Sequence, residues 1–178
     1  MEFHDSPLIS ARGVAALADL FAIPFSDTSG RVVAGDANRA TRHLSSYPDD
    51  PTGYEAFVNH FHLEDTLMIP YSDGAIRALL VEVGRDLVKA WAGRLQAAFP
   101  EHSFLFYLGG TDSVALRFHV DRGDGREWAN LNDRSFLRAE QIDVFRLDRV
   151  LKNEVLFALT RGSWTRGPGR PEPAPEGT

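Results

Sequence analysis

Apolar residues recur along this chain with two different periods, and the switch between them predicts the architecture. After Ser10, which can cap a helix, Val14, Leu17, Ala18 and Phe21 fall at helical spacing until Pro24 ends the run. Thr52-Gly-Tyr-Glu55 has the form of a capping box, and Tyr54, Phe57, Val58 and Phe61 follow as the buried stripe of a second helix. Beyond Pro70, with Ser72 or Asp73 as the cap, Ile76, Leu80, Val83, Leu87, Trp91, Leu95 and Ala98 keep a period of about 3.6 residues. This third helix is the longest, and its other positions include Arg77, Arg85, Asp86, Lys89 and Gln96. Gly84 and Gly93 inside it each cost about 1 kcal/mol relative to Ala, which points to close packing against another backbone there.

Phe99-Pro100 ends the helix and the period drops to two. Phe104, Phe106 and Leu108 form one face of a strand, and Val114, Leu116, Phe118 and Val120 the matching face of the next. Pairing 106 with 116 sets these faces side by side, leaving Gly110-Thr111-Asp112 as a three-residue hairpin loop. Leu105 then faces Arg117, and Tyr107 faces Ala115. Asp121–Gly125 predicts a second turn, and Arg126–Asn130 a third strand of a meander. Arg31–Ala34 predicts a short strand and Ala37–Leu44 a helical turn or two. Phe136 to Leu147 fits either a helix or a helix followed by a strand at Ile142–Leu147, and Val155–Leu159 fits helix or strand equally. The expectation is one α+β domain over residues 1–160, with helices of the first half packed on one face of a small antiparallel sheet. Residues 161–178, rich in Pro and Gly, read as a disordered tail.

Composition narrows the function. Nineteen Lys and Arg stand against 25 Asp and Glu, a net charge of −6, the wrong sign for general binding to nucleic acid or an anionic membrane. The absence of cysteine excludes disulfides, thiolate zinc sites, iron–sulfur clusters and cysteine nucleophiles. An acidic start, Met-Glu-Phe-His-Asp, and no apolar run approaching the ~20 residues of a membrane span give the expectation of a soluble, cytoplasmic protein. No Walker, dinucleotide or nucleophile-elbow motif occurs, so no cofactor is expected.

Five groups of residues are candidates for chemistry. His60 and His62, read on a helix, diverge by about 160° and cannot share a metal, so no metal site is expected. Tyr107, Arg117, His119 and Asp121 share the polar face of the hairpin, where they can serve acid–base catalysis, bind a partner or simply meet solvent. Gly109-Gly-Thr-Asp112 lacks the Lys and the helix of a phosphate loop and reads as a turn, while Asp121, Asp124 and Glu127 miss the calcium-loop spacing. Acidic residues at element ends, among them Asp49, Asp50, Glu64, Asp65, Asp73 and Asp124, offer a negative face to a cationic partner.

Phe104–Leu108, a short Gly/Asp turn, Val114–His119, Arg122 and Glu127-Trp128 together resemble small bacterial immunity proteins, the cognate inhibitors of polymorphic or contact-dependent toxins. The resemblance covers residues 99–132. It implies a strand packed on the preceding amphipathic helix and an acidic surface that plugs a toxin. The leading expectation is thus a non-enzymatic inhibitor that occludes a basic toxin surface through Glu64, Asp65, Tyr107, Arg117, His119 and Asp121. The competing expectation is a small enzyme acting on a small-molecule ligand through Tyr107, Arg117 and His119, helped by His62. A third is a subunit that dimerises near Trp91 or Trp164. The oligomeric state is left open.

Overall fold

A computed structural model describes residues 10–36, 38, 41, 43–69 and 74–149 of the chain. The first helix, α1 (Ala11–Ala22), starts where expected, because the Ser10 hydroxyl accepts a bond from the Gly13 amide at 3.1 Å. Its inward stripe is rotated from the expected one: Gly13 and Leu20 are buried and Leu17 and Phe21 partly so, while Val14 and Ala18 face outward. Strands β1 (Phe25–Asp27) and β2 (Val32–Ala34) then pair antiparallel in a small sheet of their own. The expected turns over 37–44 lie largely outside the described residues, and a single 3₁₀ turn covers Leu44–Ser46.

Helix α2 (Pro51–Val58) corrects the capping-box reading. Asp50 caps it, accepting from the Gly53 amide at 2.8 Å, and Pro51 occupies the first turn, where its missing N–H costs nothing. Glu55 is thereby released from capping, and it is completely buried. Its Oε1 accepts from the Val32 amide at 2.7 Å and Arg122 Nη2 at 2.8 Å; its Oε2 accepts from the Val120 amide at 2.9 Å and Arg122 Nη1 at 2.8 Å. One turn later Asn59 accepts from the Ala34 amide and donates to the carbonyls of Val32 and Phe118. Two side chains thus bond β2 and the sheet at once. Burial pushes the Glu55 carboxyl above its ordinary range, opposed by the Arg122 guanidinium and the two amides.

The second helix also ends earlier than its expected stripe. Phe57 is exposed, and His60–His62 forms a strand, β3, whose middle residue Phe61 turns into the core. Helix α3 (Leu63–Leu67) follows, then α4 (Gly74–Ala98), the long helix. Its stripe is close to the one the spacing predicts, with Leu80, Leu87, Trp91 and Leu95 buried and Val88 and Ala92 beside them. The Trp91 ring meets Phe25, Phe61 and Phe118 edge-on at 5.3–5.9 Å between centroids, and its Nε1 donates to the Leu20 carbonyl at 2.9 Å. Of Gly84 and Gly93 only Gly84 is a close approach, and to side chains rather than to the expected backbone: a Cβ there would lie 2.4 Å from Leu108 Cδ1, whereas at Gly93 it would meet nothing within 4 Å.

Strands β4 (Ser103–Gly109) and β5 (Ala115–Asp121) form the expected hairpin in a different register. Phe106 pairs with Phe118, Tyr107 with Arg117 and Leu105 with His119, so the loop is five residues, 110–114. The shift is by two, which preserves every face. Its cause lies outside the hairpin. The Val114 carbonyl accepts from the Leu63 amide and the Val114 amide donates to Glu64 Oε1, which withdraws residue 114 from the ladder. Gly109 sits at φ +134°, and a Cβ there would lie 2.0 Å from the Gln141 carbonyl oxygen.

No third meander strand forms from Arg126–Asn130. The sheet is completed instead by β3 beside β5 and by β6 (Ile142–Leu147) beside β4, after the short helix α5 (Arg134–Ala139). The order is β3-β5-β4-β6, antiparallel throughout. The helices cover the face made by Phe104, Phe106, Leu116, Phe118 and Phe145, which is the expected single α+β domain. Ala129, Leu131 and Leu137 lie over the opposite face, on Leu105 and Tyr107. No helix among the described residues is long and apolar enough to cross a membrane. The uncertain segment Val155–Leu159 and the expected tail lie outside the described residues.

Candidate functional site

The pairing of Tyr107 with Arg117 and of Leu105 with His119 sets Tyr107 and His119 diagonally on one face, with their rings stacked at 5.6 Å. That face is not solvated as the alternation suggested. Tyr107 and His119 are at most 2% exposed, because the 128–131 segment folds over them. His119 Nδ1 lies 2.9 Å from the Val120 carbonyl, which can only accept, so the proton sits on Nδ1. Nε2 then accepts, with the Tyr107 hydroxyl at 3.2 Å and the Trp128 amide at 3.4 Å. Burial pushes the imidazole down and the phenol up, so both groups stay neutral near pH 7. A neutral pair with its bonds satisfied and no opening to solvent holds the covering segment in place and offers nothing to a substrate.

Arg117 sits at the border of this closed pair and the surface. Its guanidinium lies 4.1 Å from the centroid of the Trp128 ring, donates to the Ala56 carbonyl at 2.8 Å, and reaches His60 Nδ1 at 3.0 Å. Burial lowers its pKa to about 10, yet it stays charged at neutral pH. Around it are exposed aromatics: Trp128 is 38% exposed and Phe57, next to Ala56, is 49% exposed. The Phe57 ring meets Tyr47 at a tilt, 5.7 Å between centroids, and His43 edge-on at 5.3 Å.

The histidines reverse the sequence expectation. On a strand, positions i and i+2 share a face, and the His60 and His62 rings lie 4.4 Å apart. One nitrogen of each ring is engaged, His60 Nδ1 as acceptor from Arg117 and His62 Nδ1 with Ser113 Oγ at 2.8 Å. No third metal-ligating side chain joins them among the described residues. Burial, together with the charges of Arg117 and His62, lowers the His60 pKa to about 4.

The six expected contact residues do not form one patch. Glu64 is buried and bonded to the Val114 amide, and Tyr107 and His119 are closed off as described. Asp65 is exposed but belongs to α3, beside the start of β5, whereas Asp121 ends that strand about 20 Å away at ~3.3 Å per residue. Asp121 is held by Arg146 at 3.0 Å and by the Gly123 amide. A different acidic group is assembled at the Asp121 end. Arg126 Nη1 donates to the Asp49 carbonyl at 2.9 Å, Arg122 Nη2 to the Gly30 carbonyl at 2.7 Å, and Arg31 Nη2 to the Pro48 carbonyl at 3.1 Å. These three arginines tie three loops together through main-chain oxygens. Asp49, Asp50, Asp124 and Glu127, all exposed, lie on the 47–50 and 121–128 loops so joined, with Asp124 Oδ2 4.0 Å from Arg126 Nε.

Sequence reasoning passed over Phe57, which it assigned to the core, and Arg126, which it assigned to a strand. The signal for Phe57 was the end of its helix: Asn59 and the His-Phe-His alternation after it mark a stop that leaves Phe57 outside. No protein-family model matches the chain, and no curated protein or solved structure matches it either.

Proposed function

We propose that this chain is a non-enzymatic protein-binding protein of the immunity type, acting in a bacterial cytoplasm by covering a basic surface of a toxin domain. The observation that carries the reading is the Arg126–Asp49 bond, which holds the 121–128 turn against the 47–50 turn and so combines an acidic rim with exposed aromatics. Trp, Tyr and Arg anchors inside a polar rim are the composition of binding hot spots, and acidic rims speed encounter with cationic partners. The contact set on this reading is Phe57, Arg117 and Trp128 at the centre with Asp49, Asp124 and Glu127 around them. Asp65, Asp121 (paired with Arg146) and the buried Glu64, Tyr107 and His119 fall outside it. The catalytic alternative finds no support, since its imidazole and phenol are enclosed.

The test is capture of a partner from the native lysate by the full chain at low and high salt, repeated with Asp49→Lys/Asp124→Lys and with Trp128→Ala. One stoichiometric basic protein is expected, released by salt, lost with either variant and retained by the distant control Asp86→Lys. Its toxicity in cells should be relieved by co-expression of the native chain and not of the variants. No partner at either salt, or equal capture by all variants, overturns the proposal.

A further inference from the structure

A second feature lies elsewhere on the molecule. Between α4 and the α5–β6 segment is a cleft of about 440 Å³, within the size range of small-molecule sites. Val81 and Leu108 contribute apolar surface from the core side, and Leu131, Leu137 and Ile142 from the outer side. Four arginines, 77, 85, 134 and 138, line it against one acid, Asp143, in a chain whose net charge is −6. A cationic concavity on an acidic protein is a local departure from the surface average, and its charges have different duties.

Arg85 is fixed by Asp143 Oδ2 at 2.8 Å and by Glu82, and Asp143 is thereby consumed. Arg77 donates to the Gly110 carbonyl. Arg134 and Arg138 stand four residues apart on one face of α5, with Leu137 between them. Both are exposed, and neither guanidinium has an ion-pair or hydrogen-bond partner among the described residues. The acids nearest along the chain are engaged elsewhere: Asp133 caps α5, accepting from the Phe136 amide at 3.0 Å and the Ser135 hydroxyl at 2.6 Å, and Glu140 accepts from the Thr111 hydroxyl at 3.2 Å. Within the cleft, Arg85 Nε is buried and has no acceptor among the described residues.

We infer that this cleft binds a small organic anion with an apolar body. The carboxylate or phosphate end would lie between Arg134 and Arg138, and the body against Leu108, Leu137 and Ile142. Guanidinium groups suit this role because their planar fork matches both anions. The inference does not depend on the protein-binding surface, since the two share no residue.

Titration calorimetry of the full chain with decanoate tests it, with decanol and inorganic phosphate as parallel probes. Decanoate is expected to bind one to one and more tightly than either control. Arg134→Ala/Arg138→Ala should weaken it by at least about tenfold, the size of losing charge-assisted bonds at a solvent-facing site. The melting temperature should not change, because neither side chain has a partner to lose. Amide shifts at Ile142 and Val144 on adding decanoate give an independent reading of the same site. No decanoate binding, equal affinity for decanol or for phosphate, or unchanged affinity in the double variant would each overturn the inference.

Discussion

Glu55→Gln probes the buried Glu55–Arg122 pair, because it keeps the side-chain volume while removing the charge and one acceptor oxygen. In the native protein four donors converge on the two carboxylate oxygens, two amides and two guanidinium nitrogens. A glutamine offers one acceptor and turns an NH₂ towards the other two donors. Breaking a buried pair by removing one partner costs about 3–5 kcal/mol, and the pair qualifies, with Glu55 fully buried and Arg122 20% exposed. At roughly 2–4 °C per kcal/mol for a chain of this length, the melting temperature should fall by about 6–20 °C. Arg122→Met leaves Glu55 in the same site without its cation, and the carboxyl pKa, already raised, rises further. A raised folded-state pKa gives stability that is present below the unfolded value of 4.5 and lost as pH rises through the folded one. The Arg122→Met penalty should therefore shrink in acid and grow towards neutrality. Guanidinium unfolding of both single variants and the double variant measures this directly. A Glu55→Gln cost below ~1 kcal/mol, or strict additivity in the double variant, would refute the account.

The helix glycines should respond with opposite signs. Gly93→Ala, with open space at its Cβ, should stabilise by about 0.5–1 kcal/mol, while Gly84→Ala should destabilise as its Cβ drives into Leu108 and Leu63, a clash of about 1–3 kcal/mol less the same propensity gain. Equal melting temperatures for the two would contradict the packing of α4. His60 has a folded-state pKa of about 4 against 6.5 in the open chain, so the unfolded state takes up a proton first and stability is lost as pH falls between those values. Its ring is only half buried, so solvent screening reduces the loss to about 1–2 kcal/mol. His60→Gln should flatten stability against pH across that window, and an unchanged profile would remove His60 as the cause.

Long periodic segments were legible before the structure, and short ones were not. The α4 stripe and the β4–β5 faces repeat often enough for the pattern to outweigh local exceptions. Strand β3 has three residues, too few to display a period against a preceding helical run. The hairpin register was misread because the bonds that set it come from Leu63 and Glu64, some 50 positions away from Val114. Thr52-x-x-Glu55 has the local form of a capping box, yet Asp50 does the capping and Glu55 answers to Arg122. Alternation around Tyr107 and His119 was read correctly as a distinct face, but nothing in it told that Ala129 and Leu131 would cover that face instead of joining the ladder. The acidic rim depends on three arginine-to-carbonyl bonds, and main-chain acceptors leave no trace in a sequence.

The side chains of Glu55 and Asn59 have a consequence for how this protein meets other chains. Strand β3 pairs only with residues 115–117, so the flank of β5 beyond it would present the Phe118 carbonyl and Val120 amide as a template for a foreign strand. Asn59 and Glu55 occupy these two groups, and Val32 and Ala34 on the facing strand with them. Two helix side chains therefore do what a further strand would do, closing that flank to sheet extension without adding backbone. Loss of α2 would reopen it, and self-association of a destabilised chain would then start at β5.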